Sequence, residues 1–114
     1  MNKKEKIREL IEVVASYDKE KLSERFSGGD LYTTLYKGLE SMGEFDLNYI
    51  ENLKKIKGAT FNKKMANLQS FTFKETCTML TAILRYDRFV EGLFNSAVRS
   101  GDVLRLLTRA YHTL

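Results

Sequence analysis

Between Arg85 and Gly92 the chain reads "RYDRFVEG": two arginines, two carboxylates and two aromatics, closed by a glycine. An arginine presents a planar fork of donors matched to a carboxylate or phosphate. Arg85 and Arg88, set by Asp87 and Glu91, therefore have the composition of a small-anion or enzymatic site. The same residues also compose a structural lock. On a continuing helix Arg85, Arg88 and Gly92 share one face, Asp87 and Glu91 the next, and Arg88 and Glu91 have the spacing of a local ion pair. Phe89 then points into the core. A break at Gly92 lets Arg88 turn inward onto the free carbonyls of the preceding helix, unless the glycine instead admits a neighbouring backbone. The lock is the preferred reading of this network, and the anion site at Arg85, Arg88 and Glu91 is its rival.

The second cationic stretch is "KKIKGATFNKK", Lys54 to Lys64, with five lysines and no acid. Lys54, Lys55, Lys57, Lys63 and Lys64, with Phe61 to stack a base, have the means to track a nucleic-acid backbone. Lysines that merely solvate a connector are the simpler account. A helix-turn-helix can be drawn through Phe89 to Arg109, with Arg99, Arg105 and Arg109 as its cations. Its second helix opens "DVLRLL", which offers few amide or hydroxyl side chains to read bases.

Other chemistries lack their residues. The single histidine, His112, stands near the end of the sequence, a poor place to hold a base against a nucleophile. No phosphate-cradling glycine motif and no Glu-x-x-His pair occurs. The single cysteine, Cys77, excludes an intrachain disulfide and a cysteine zinc site, and within "TCTMLTAIL" it reads as a buried, inert thiol. No metal or cofactor is expected, and the balance leans away from an enzyme.

These residues must be positioned by a small frame. The chain has 114 residues, 43% hydrophobic and 30% charged, which fits one domain over 1–114 able to bury a core of its own. The formal charge is +4, but residues 1–29 mix seven basic with six acidic side chains, so no basic arm stands out. Glu5, Glu9 and Glu12 interrupt any leader-like apolar run, and no stretch reaches the length of a spanning helix. An intact cytoplasmic protein is expected.

Apolar spacing places helices along the whole length. Ile7, Leu10, Ile11, Val14 and Tyr17 form one stripe. Asp18 can cap a short helix through Phe26, stopped by Gly28 and Gly29. Asp30 can cap a helix carrying Leu31, Leu35, Leu39, Tyr32 and Tyr36 to Gly43. Leu47, Ile50, Leu53 and Ile56 suit a helix from Asp46 to Gly58, and a connector with a short helix follows. "TFKE", Thr72 to Glu75, is a capping box that opens a helix to about Tyr86, burying Cys77, Leu80, Ile83 and Leu84. Two further helices follow, one stopping at Gly101 and one capped by Asp102. The fold expected is all-α, a compact single domain of five to seven short helices.

The segment from Phe71 to Arg109 resembles the C-terminal half of a family of small uncharacterised bacterial proteins. In that family a threonine-initiated leucine-rich helix leads to an arginine, then Asp-Arg-Phe, an acidic residue and glycine, a short helix, a glycine and a terminal apolar helix. Leu80, Arg85, Asp87, Arg88, Phe89, Glu91, Gly92 and Gly101 hold those places. Val90 stands where the family often has a cysteine or small polar residue, and Leu93 where it often has histidine. The resemblance implies a shared fold and no assigned activity. With six tyrosines and seven phenylalanines, more than this length must bury, the expected role is non-catalytic binding of a protein partner or of a second copy as a homodimer, with nucleic acid as the alternative partner.

Overall fold

Nine consecutive residues, Thr76 to Leu84, are buried in one helix, so neighbours must cover it on every side. The computed structural model describes residues 2–17 and 29–114. It contains, in chain order, α1 (Lys3–Ser16), α2 (Gly29–Ser41), α3 (Tyr49–Lys55), α4 (Phe61–Met65), a 3-10 turn (Leu68–Ser70), α5 (Phe73–Tyr86), α6 (Leu93–Arg99) and α7 (Asp102–His112). No strand occurs among the described residues, and the all-α globule measures 34 × 34 × 23 Å. No helix among them is long and apolar enough to cross a membrane.

The central helix, α5, packs against α2, α3, α6 and α7, while α1 lies across α7 and α2. Leu39, Leu80, Leu84, Leu106 and Leu107 are wholly enclosed. Each such side chain stabilises the fold by roughly 1.5–3 kcal/mol relative to exposure. The expected stripe of α1 holds, with Ile7, Leu10 and Val14 buried and Ile11 and Tyr17 packed beside them. At Gly38 of α2 an added Cβ would come within 3.0 Å of the Leu10 side chain, so the missing side chain is what lets the two helices approach.

Local chemistry accounts for most ends. Thr72 and Glu75 form the capping box, with Glu75 N–H on Thr72 Oγ1 at 3.1 Å and Thr72 N–H on Glu75 Oε1 at 2.9 Å. Gly43, at φ +72°, closes α2 through a Schellman pair, Glu44 N–H to Leu39 O and Gly43 N–H to Glu40 O.

Other expectations shift. The helix from Asp18 to Phe26, with its stop at Gly28, lies outside the described residues. Asp30 stands inside α2, which begins at Gly29, and Asp102 is the first residue of α7 with Gly101 as its cap. The helix after Asp46 is shorter than its apolar spacing predicts. Ile56 is buried and Leu53 half-buried, but Leu47 and Ile50 face outward, because Asp46 is tied to α5 and orients this segment from one end.

Candidate functional site

The turn after α5 is held by its backbone and one carboxylate. Phe89 and Val90 N–H both donate to Tyr86 O, at 2.9 and 3.0 Å. Asp87 Oδ1 accepts from Phe94 N–H at 2.8 Å, which places a negative charge at the start of α6. Gly92 sits at φ +78° with nothing within 4 Å of an added Cβ, so it serves the left-handed turn and not a close approach.

The inward Arg88 network is corrected in its members. Arg88 and Glu91 are exposed, and neither makes a hydrogen bond or ion pair among the described residues, with each other or with anything else. Phe89 is 78% exposed and does not enter the core. The helix ends at Tyr86, so the face assignments that assumed its continuation lapse, and the joining role falls to Asp87 alone.

What the turn presents is apolar surface. Phe89 and Val90, the latter 53% exposed, follow Tyr86, whose ring meets Tyr49 edge-on at 5.5 Å. Leu47 and Ile50, on either side of Tyr49 in sequence, are 88% and 50% exposed. Four large exposed apolar side chains thus lie within four residues, in sequence, of one or other ring of this aromatic contact.

Arg85 takes a different position. It is half-buried and lines a cleft of about 400 Å³ with Tyr36, Glu40, Phe45, Leu47 and Tyr49. The Tyr36 and Phe45 rings lie 4.4 Å apart. Neither Arg85 nor Glu40 makes a side-chain hydrogen bond or ion pair among the described residues. The nearby Tyr32 hydroxyl donates to Leu84 O at 2.7 Å, and burial first, then the charge of Asp87 and the neighbouring Tyr36, push its pKa up against the pull of Arg85 and Arg88.

Across the 43–47 loop lies a second cleft, of about 470 Å³, bordered by Glu44, Asp46, Asn52, Lys55, Lys74 and Cys77. Its two carboxylates are engaged by neighbouring side chains and backbone. Glu44, almost fully buried, receives Lys74 Nζ at 2.7 Å and Lys3 Nζ at 3.2 Å. Asp46 accepts from Thr78 Oγ1 at 2.6 Å, Asn52 Nδ2 at 2.9 Å and Asn48 N–H at 2.9 Å. Burial, the largest single influence on each carboxyl, pushes its pKa up. For Glu44 the lysines together outweigh it, and for Asp46 the hydrogen bonds do, so both are held below the usual value. Cys77 is buried and its thiol is pushed up to about 12, chiefly by burial, which keeps it protonated and unreactive. Sequence reasoning missed this knot. The contacts that tie it to α1 and α5 lie about 30 or more residues apart, as in Thr78 to Asp46 and Lys74 to Glu44, and no local spacing announces them.

The nucleic-acid candidates scatter. Lys64 is 9% exposed, and its Nζ donates to Ile56 O at 2.9 Å and Gly58 O at 2.5 Å, so it closes the end of α3. Phe61 is half-buried against the core. Arg109 donates from Nε to Phe71 O at 2.9 Å, Lys54 pairs with Glu51, and Arg105 pairs with Asp102. Lys55, Lys57, Lys63 and Arg99 remain exposed. His112 is exposed, its ring edge-on to Tyr111.

No curated protein and no solved structure matches the chain. A family does, over residues 31–114, which takes in α2 from its third residue through α7 and leaves α1 outside the match although α1 packs on α7. That span is wider than the Phe71 to Arg109 stretch that carries the resemblance in sequence, and it includes both clefts and the apolar face. The chain therefore belongs to the family of unknown function DUF6508.

Proposed function

We propose that the protein works by binding protein, through the face of Leu47, Ile50, Phe89 and Val90, and that its partner there is a second copy of the chain. The observation that carries this reading is the exposure of four large apolar side chains on the two segments that the Tyr49 and Tyr86 ring contact joins. Exposed apolar side chains gathered on neighbouring segments are costly to leave in water and are the usual mark of a contact. The second copy is favoured by charge. Arg88 and Glu91 border Phe89 and Val90, are both exposed and do not pair with each other. A two-fold axis through this turn sets each Arg88 against Glu91 of the second copy, so one patch complements itself. A bacterial, cytoplasmic setting belongs to the same proposal, resting on the resemblance and on the lone buried thiol.

Nucleic acid is the weaker reading. The cations left free for it, Lys55, Lys57, Lys63 and Arg99, are spread over several segments, and Phe61 is not open for stacking.

Light scattering on the eluting protein, from micromolar to near-millimolar concentration, is the test. A dimer is expected that Phe89→Ser dissociates, that Arg88→Glu weakens, and that Arg88→Glu with Glu91→Arg restores. A monomer throughout, or a double reversal no better than the single one, removes the second-copy reading.

A further inference from the structure

We infer that the cleft between α2, the 43–47 loop and the end of α5 binds a free α-amino acid with an apolar side chain, carboxylate on Arg85 and ammonium toward Glu40. The cleft shares Leu47 and Tyr49 with the apolar face, but the ligand assignment does not require a dimer. Arg85 is half-buried and its side chain has no protein acceptor among the described residues, in a cleft that it shares with three aromatic residues, Tyr36, Phe45 and Tyr49. Its planar donor fork, without a described acceptor, fits a carboxylate with two parallel hydrogen bonds.

The acids of the cleft narrow the ligand class. Asp46 also borders it, but its carboxylate is engaged by Thr78, Asn52 and the Asn48 amide and does not reach Arg85. Glu40 is exposed and makes no ion pair with Arg85, although both line the same cleft. A plain anion would meet the repulsion of Glu40, and a plain cation that of Arg85. A zwitterion answers both charges. Tyr36 and Phe45, with rings 4.4 Å apart, and Tyr49 supply apolar contact for a side chain and ring faces that attract an ammonium. The volume of about 400 Å³ is within the range of small-molecule sites and admits a residue of leucine or phenylalanine size.

Calorimetric titration of the full chain with L-phenylalanine and L-leucine, beside 3-phenylpropanoate and 2-phenylethylamine, tests the assignment. At least one amino acid is expected to bind at one site per chain, with each half-ligand weaker by about tenfold or more. Arg85→Gln should weaken the amino acid by about tenfold or more while the melting temperature stays near that of the parent. If Arg85→Gln does not fold, Glu40→Gln, at an exposed position, carries the comparison and should weaken the amino acid but not 3-phenylpropanoate. The assignment is overturned if neither amino acid binds, if a half-ligand binds as tightly as the whole, or if the folded variant binds as the parent does. Phe89→Ser, at a residue outside the cleft lining, should still bind the amino acid at one site per chain.

Discussion

Asp87 and Arg88 are adjacent in sequence and opposite in use. The Asp87 carboxylate accepts an amide that the first turn of α6 would otherwise leave without an intrahelical partner. Arg88 stands in water without a described partner. Asp87→Ala should therefore cost about 1–2 kcal/mol, the usual loss on removing a cap. For a domain of this length that is a fall in melting temperature of about 4 °C per kcal/mol. At a concentration where the protein is monomeric, Arg88→Ala should stay within about 0.5 kcal/mol of the parent. Circular dichroism melts of the two variants side by side check both, and a large loss with Arg88→Ala alone would contradict the placement.

Among the elements, α3 depends most visibly on a distant residue. It is seven residues long, has no side-chain hydrogen bond at its N-cap and buries none of its own residues fully. Its last turn is completed by Lys64 from α4, whose ammonium stands where the helix dipole favours positive charge. Gly58 makes that approach feasible. It sits at φ +119°, and an added Cβ would lie 2.6 Å from the Lys64 backbone nitrogen. Lys64→Met keeps the apolar stem and removes the donors, leaving the Ile56 and Gly58 carbonyls without them. The expected loss is about 1–3 kcal/mol, read as a lower urea midpoint with an unchanged slope.

For the whole molecule, the Glu44 and Asp46 knot joins α1, the 43–48 loop, α3 and α5, and it sets the response to acid. Both carboxyls are held below their ordinary values in the folded chain, so the unfolded chain binds protons first as the pH falls. The stability they contribute is complete above the ordinary carboxylate range and is lost as the pH drops through their depressed folded values. Melting temperature should hold level from neutral pH to about pH 5 and decline below it. In Glu44→Gln with Asp46→Asn the decline should be shallower, and a decline equal to the parent's would place its origin elsewhere.

What the sequence determined by itself is what depends on near neighbours. The stripe of α1, the Thr72 to Glu75 capping box, the glycine stops at 43 and 101 and the burial of Cys77 follow from spacing within a turn or two, and the all-helical class follows from them. The roles of charged side chains were decided by tertiary structure, because an arginine or lysine on a helix end reads the same whether water or a carbonyl waits beside it. Lys64 and Arg109 found backbone oxygens, while Arg88 found solvent. The spacing of Leu47, Ile50, Leu53 and Ile56 announced a helix but not which of them face inward, since that depends on where Asp46 meets Thr78 on α5. The Arg85 cleft, assembled from α2, the 43–47 loop, the first residue of α3 and the end of α5, exists only once those segments pack.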